Sequence, residues 1–445
     1  MNPQEPEPLR IRQIRIDGLF GLYNHCINLN LKERVTILHG PNGVGKTVTL
    51  RMVEALLNGR HDVLSQMPFH RLSLDFSDNS KIILSHSEEQ NKLTISEFPS
   101  LTLELIDKNN EHRKHYLSLE SETIALAYEL SANIKWLVPL HGYRWNDLNQ
   151  RDELTAYEVV HRYFNFLPDD KKNSLLDGYS LLAELQNKIK TYFIGTERLL
   201  FKTENQTPQS TPILISQELK QRIDEILADY GQQSQALDQS FPQRLFTADT
   251  GSSQYSELKA RMAKLEEKRR ELREIGLLDE ASTQSFNLSE IDKVISAENR
   301  AMALYIHDTE QKLSVFDDLA VSAKLLLDNI NTKFKNKRLR IERDKGFVVT
   351  NDKGQNLGLN SLSSGEQHEI VLLYDLLFRI KPNTLVLIDE PELSLHVVWQ
   401  KRFLPELLKI VEVAQIDVLL ATHSPYIVED YTDLMVALET GTGHA

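Results

Sequence analysis

Apolar residues fall along this chain in two rhythms, and the change of rhythm divides it. Short, nearly unbroken apolar runs stand near both ends, in "RVTILH" before Gly40, "TLVLI" before Asp389 and "VLLA" before Thr422. Runs of that length without alternation are expected of strands buried on both faces of a parallel sheet. Between Arg71 and Glu97, "RLSLDF", "KIILSH" and "KLTIS" alternate apolar and polar residues, which predicts antiparallel strands with one covered face. From about Ser131 to Arg340 the period becomes helical, in "SELKARMAKLEEKRRELREIG" and from Leu288 to about Phe334. The pattern predicts three parts: 1–130 and 336–445 as the halves of one α/β body, and 131–335 as a mainly helical insertion. A strand near 191–200 returns to the body.

The apolar runs at the ends are followed by residues with chemistry. After "RVTILH" comes "GPNGVGKT", Gly40 to Thr47, and then a helix in which Leu50, Val53, Ala55, Leu56 and Leu57 share a face up to Asn58-Gly59. Strand, glycine-rich loop and helix in this order match a phosphate loop, whose backbone N–H groups curl round an oxyanion. Gly40, Pro41, Asn42, Gly43, Val44, Gly45, Lys46, Thr47 and Val48 are the candidate nucleotide contacts. Lys46 is expected to reach the β- and γ-phosphates of ATP, and the Thr47 hydroxyl to hold Mg²⁺. "TLVLI" ends in Asp389-Glu390, where Asp389 is the second candidate Mg²⁺ ligand and Glu390 the candidate base for the attacking water. The competing reading makes this pair a helix cap beside Pro391. "VLLA" ends in Thr422-His423-Ser424, and His423 at a strand tip could bond the γ-phosphate or that water. "LSSGEQ", Leu362 to Gln367, puts Ser363, Ser364, Gly365 and Glu366 at the mouth of an apolar helix carrying Ile370, Val371, Leu373, Leu376 and Leu377. A helix N-terminus with free amides favours an anion, although the same letters would serve an ordinary serine cap.

Composition narrows the class. The 445 residues carry a net charge of −13, so bulk electrostatic coating of nucleic acid is not expected, and any such contact must be local. The one cluster to consider is "KFKNKRLRIERDK", Lys333 to Lys345, where a solvated strand entry is the plainer reading. The charged run Lys264 to Arg273 reads as a solvated helix face, and "TENQTPQSTP" as a polar loop. The single cysteine, Cys26, allows no intrachain disulfide, fits a reducing cytoplasm and is expected to be a small buried hydrophobe. "MNPQEPEPLR" lacks the basic and apolar regions of an export signal, and no apolar run approaches the roughly 18 residues of a membrane helix.

Together "GPNGVGKT", "LSSGEQ", "LVLIDE" and "ATHSP", in that order, resemble the ABC-type ATPase heads. The resemblance implies a P-loop head with a mixed central sheet flanked by helices, an antiparallel lobe and a helical insertion. It also implies a homodimer or higher homo-oligomer, in which Ser363 and Gly365 of one copy cap the γ-phosphate held by Lys46 of the other. "DEPELSLHVVWQKRFLPEL" is similar to the stand-alone ATPases of the OLD, RecF and Rad50 branch, especially those of anti-phage systems such as AriA of PARIS and PtuA of Septu. There Glu392 to His396 would lie at the dimer interface, with Ser394 and His396 as relay candidates. OLD nucleases continue into a TOPRIM domain, for which this sequence leaves no room after His423. A separately encoded TOPRIM-type nuclease is therefore the expected partner, and a slow ATPase that senses and scaffolds the expected function. A RecF- or Rad50-like DNA-repair clamp is the alternative. The signature carries Ser364 where transporter heads commonly have glycine. No clear Gln loop is present; the nearest candidate is "TYFIGTERLL" with Glu197 and Arg198. Phe20 and Tyr23 are candidates to stack on adenine, with a core role for each the plainer expectation.

Overall fold

The computed structural model describes residues 8–86, 101–117, 121–140, 144–149, 152–163, 166–168, 189–201, 209–247, 255–279, 299–393 and 395–438. The expected strand "KLTIS", the start of the Leu288 stretch and most of "TENQTPQSTP" lie outside the described residues. The chain divides into two compact units, 1–208 with 380–445, and 209–379.

Among its described residues the first unit holds three sheets. One is antiparallel, with strands β1 (Ile11–Leu19), β2 (Tyr23–Asn28), β4 (Arg71–Phe76), β5 (Lys81–His86), β6 (Leu101–Ile106) and β7 (His112–Leu117) in the order β2-β1-β4-β5-β6-β7. The alternation in "RLSLDF" and "KIILSH" is the cause: Leu72, Leu74, Ile82 and Leu84 are fully buried. β3 (Val35–His39) leads instead into the phosphate loop. A small sheet of β8 (Leu137–Pro139), β9 (Arg144–Asp147) and β10 (Asp152–Thr155) packs with the helices Ser121–Asn133 and Ala156–Arg162 round the buried Trp145. The third sheet is parallel throughout, in the order β11-β12-β13-β3-β14, with β11 (Lys190–Ile194), β12 (Thr384–Asp389), β13 (Asp417–Ala421) and β14 (Met435–Ala437). Every residue of β12 is buried, as its unbroken apolar run requires. One apolar cluster joins this sheet, the antiparallel sheet and the helix Lys46–Leu57, through Leu38, Leu387, Leu419, Ile14, Leu72, Leu50 and Val53. Each such fully buried side chain contributes about 1.5–3 kcal/mol, so the frame can hold a strained residue at its edge.

The second unit has long helices at Thr211–Thr247, Tyr255–Ile275, Asn299–Ser314 and Asp317–Lys333. It also has a three-stranded antiparallel sheet, Lys337–Glu342, Gly346–Asn351 and Asn356–Leu357, and the helix Ser364–Tyr374. The division therefore differs from the bounds expected at 130/131 and 335/336. The small lobe of 121–168 counts with the first unit, and residues 336–379 with the second. The second shift has a visible cause in Asn331, on the helix before the sheet. Its side chain accepts from Leu339 N at 2.8 Å and donates to Leu339 O at 3.0 Å, tying strand to helix.

Cys26 corrects an expectation: it is exposed. On β2 the neighbours His25 and Ile27 point inward, so the period of two turns Cys26 outward whatever its apolarity.

Candidate active site

Because β3, β12 and β13 are adjacent and parallel, their carboxyl ends lie along one edge of the sheet. "GPNGVGKT", Asp389-Glu390 and Thr422-His423 leave from those three ends, the usual place for ligand chemistry in open α/β sheets. A cleft of about 560 Å³ opens there, lined by Phe20, Asn42, Gly43, Gly45, Lys46, Thr47, Val48, Glu390 and His423.

The loop needs its glycines. Gly43 and Gly45 have φ of 87° and 95°, and a Cβ on Gly45 would stand 2.5 Å from Leu19 Cδ2. Val44 is buried, and its carbonyl accepts from His25 Nε2 at 2.8 Å, which braces the loop from β2. The Lys46 ammonium donates to Gly40 O at 2.7 Å and to Pro41 O at 3.0 Å, and lies 3.1 Å from His423 Nδ1. An ammonium can only donate, so Nδ1 accepts and the imidazole proton sits on Nε2, 3.0 Å from Glu390 Oε1. Lysine, histidine and glutamate thus form one chain across the cleft mouth. Burial lowers the Lys46 pKa, an effect opposed by Glu390, Glu392 and Asp389.

Glu390 has φ of 43°, a left-handed conformation costing a residue of its kind roughly 1–3 kcal/mol. The bend ends β12 at Asp389 and sends the two neighbouring carboxylates different ways. Asp389 Oδ1 accepts from the Thr47 hydroxyl at 2.9 Å, while Glu390 turns to His423. Thr47 and Asp389 are a facing pair of hard oxygen donors, which fits Mg²⁺. Among the described residues there is no cluster of three or more His, Cys, Asp and Glu that could hold a metal ion.

Burial pushes the Asp389 carboxyl above the usual carboxylate range, opposed by the Thr47 hydrogen bond and the Arg51 charge. An acid whose folded-state pKa is raised makes its ionised form a cost to folding, which is present at neutral pH and fades as pH falls through the raised value. Asp389→Asn is accordingly expected to melt at an unchanged or higher temperature without nucleotide, while Mg²⁺-dependent turnover falls. A clear drop in its melting temperature would count against this account of Asp389.

The signature residues form a turn in the second unit. Ser363 is the N-cap of Ser364–Tyr374, with Glu366 completing a capping box; Glu366 Oε2 accepts from Ser363 N at 2.8 Å and from Ser363 Oγ at 2.9 Å. Lys337 Nζ donates to both Glu366 oxygens at 2.8 Å. Burial pushes Glu366 up, but Lys337 and Ser363 outweigh it and hold the carboxyl below the ordinary range. Lys333 pairs with Glu369 in the interior. The apolar positions Ile370, Val371, Leu373, Leu376 and Leu377 are buried, whereas Ser363 and Ser364 are exposed. The N–H groups of Ser364 and Gly365, at the first two helical positions, have no intrahelical acceptor.

Other candidates are placed as follows. Ser394 lies outside the described residues. His396 is exposed and caps the helix Val397–Ala414, with Nδ1 accepting from Val398 N at 3.3 Å. Glu197 is exposed just beyond β11 and does not line the cleft; Arg198 is buried. Phe20, contrary to a core role, is 40% exposed, has φ of 55° and lines the cleft, while Tyr23 packs on the core. In the basic cluster Lys333, Lys337, Arg343 and Lys345 pair with Glu369, Glu366, Asp279 and Glu342, leaving Lys335, Arg338 and Arg340 exposed. His25 is not expected from the sequence as a site residue, and Glu392 only as the start of an interface segment. The inward phase of β2 is the one signal for His25, and the sequence does not tie Glu392 to His423.

A family model described as an AAA ATPase domain, AAA_15, matches residues 10–428. The chain belongs to that family. The AAA_15 domain is an ATP-binding, ATP-hydrolysing P-loop domain, and the match takes in all four motifs. No curated protein matches this chain. Solved structures to which it is similar include three head domains. One is the Smc head with an extended coiled coil bound to the C-terminal domain of ScpA from Pyrococcus furiosus, at 13% identity, TM-score 0.35, covering 97% of this chain and 94% of that one. Another is the Smc head with a coiled coil and joint from Pyrococcus yayanosii, at 15% identity, TM-score 0.34, covering 97% and 96%. The third is the SMC head domain from Thermotoga maritima, at 11% identity, TM-score 0.33, covering 94% and 91%. Among the described residues no helix is long and apolar enough to cross a membrane.

Proposed function

We propose that this AAA_15 protein is an ABC-type ATPase that closes as a dimer round ATP and Mg²⁺ and acts as the sensor and scaffold of an anti-phage system. The convergence of Lys46, Thr47, Asp389, Glu390 and His423 on one cleft carries this reading. In it the amides of residues 40–48 hold the phosphates, Lys46 leaves the Gly40 and Pro41 carbonyls for the β- and γ-phosphates, and Phe20 stacks on the base. Thr47 and Asp389 would hold Mg²⁺, which when bound would supply charge neutralisation to the phosphates. Glu390 takes the proton of the attacking water, and His423 reports the γ-phosphate to it. Ser363 and Ser364, exposed in each copy, and the first amides of the helix they open, at Ser364 and Gly365, cap the γ-phosphate of the other copy. Ser394 and His396 carry contact across the dimer. Closing and reopening would be sensed by a separately encoded nuclease of the TOPRIM type.

The family and the cleft support ATP hydrolysis; the defence role rests on the likeness of "DEPELSLH" and "LSSGEQ" to such ATPases. Isolation of the protein from its native host, with identification of what co-purifies, tests it. A co-purifying nuclease whose activity depends on an intact Lys46 supports the proposal. ATP turnover that rises with added DNA and collapses with salt, and no nuclease partner, would replace it with a DNA-clamp function.

A further inference from the structure

Glu392 lies outside the chain of contacts described above, yet the loop that carries His423 is built on it. Its Oε1 accepts three hydrogen bonds: from the Thr422 hydroxyl at 2.8 Å, His423 N at 2.7 Å and Ser424 N at 3.1 Å. These donors belong to the tip of β13, and the acceptor to the turn that follows β12. A second strap runs beside the first. Ser424 Oγ donates to Gln400 Oε1 at 2.6 Å, and Gln400 Nε2 donates to Leu395 O at 3.0 Å, which closes the turn onto the histidine loop. The turn itself is set by the left-handed Glu390, whose N–H bonds Ala421 O at 2.9 Å, and by Leu395 N donating to Glu392 O at 2.9 Å.

We infer that Glu392 is a positioning residue for His423, linking the turn that carries it after β12 to the pose of the imidazole. One carboxylate oxygen can take several donors, and a charge-assisted bond is roughly twice as strong as a neutral one. The His423 N–H donates to Glu392 Oε1, so the loop behind the ring that meets Lys46 and Glu390 is tied to this carboxylate. A push on the turn, whether by a second copy or by a partner, moves the Glu392 carboxylate and so the ring, without any contact to nucleotide. The inference rests on the proposed role of His423.

The test is a cycle of Glu392→Ala, His423→Ala and the double variant in the full chain, read as single-turnover ATP hydrolysis at saturating Mg·ATP and as binding of ATP. A displacement of about 1 Å at reacting groups costs on the order of 10²-fold in rate, so Glu392→Ala is expected to lose about that factor, with ATP affinity little changed. If Glu392 works through His423, the loss disappears in the His423→Ala background. Equal loss in both backgrounds, or a parallel loss of ATP affinity, overturns the inference. Glu392→Gln keeps an acceptor oxygen and the volume of the side chain. It is expected to recover most of the rate and serves if the alanine variant does not fold; a loss in Glu392→Gln that persists without His423 likewise overturns it. A His423→Ala protein with undiminished turnover would instead defeat the proposed role of the histidine, a distinguishable result.

Discussion

Glu390→Gln is expected to bind ATP as the parent does and to hydrolyse it slower by on the order of 10²–10⁴-fold, the usual contribution of a positioned general base. The replacement is nearly isosteric. Its amide can still sit at φ 43° and still face His423 Nε2, now through its carbonyl oxygen. Lys46 loses the Glu390 charge but no hydrogen-bond partner, and the Thr47–Asp389 pair keeps its bond, so phosphate and metal binding are expected to change little. What is lost is the ability to take a proton. The protein should then accumulate in its ATP-closed form, visible as a larger species by size-exclusion chromatography with ATP. Parental turnover in this variant would remove Glu390 from the chemistry.

Ser363→Arg separates binding from turnover. Among the described residues the Ser363 side chain bonds Glu366 of its own capping box, so the local loss is that of an N-cap, about 1 kcal/mol. ATP binding to the cleft of the same copy should stay at the parental level. Turnover should fall by about 10²–10³-fold, the scale for removing one donor from a developing anion, because the arginine displaces the serine and crowds the Ser364 and Gly365 amides. Equilibrium binding of a fluorescent ATP analogue, set beside phosphate release, measures the split. Parental turnover would show that this turn faces no phosphate.

The sequence exposed what is local and left hidden what depends on neighbours. β3, β12 and β13 are legible because unbroken apolar runs have few other uses, and the loop "GPNGVGKT" because its glycine positions and its lysine serve one geometry. The order β12-β13-β3 was not legible, since pairing among parallel strands leaves no mark on any one of them. That order is why Asp389, Glu390 and His423 meet Lys46. Cys26 was misjudged by weighing its chemistry above its phase on β2, where His25 and Ile27 already fill the inner face. Phe20 was misjudged for a related reason: a left-handed turn after β1 carries its ring out to the cleft, and an aromatic side chain gives no warning of φ. Glu392 resembled any other acid near Glu390 until the three donors on its Oε1 were seen. The basic cluster at 333–345 reads most plainly as a solvated strand entry, yet four of its cations, Lys333, Lys337, Arg343 and Lys345, are paired with acids of the same unit. Two of those acids, Glu366 and Glu369, stand on the signature helix itself, so part of that charge is turned inward to the helix that carries the serine turn.

Mixing two inactive variants asks directly whether each nucleotide is completed by a second copy. Ser363→Arg keeps an intact phosphate loop, and Lys46→Ala keeps an intact serine turn, so their mixed dimer contains one composite site of wild-type residues. With random exchange and a two-fold symmetric interface, turnover should return to about a quarter of the parental rate. A mixture no more active than the sum of its two components, under conditions where the copies exchange, would contradict completion of the site in trans.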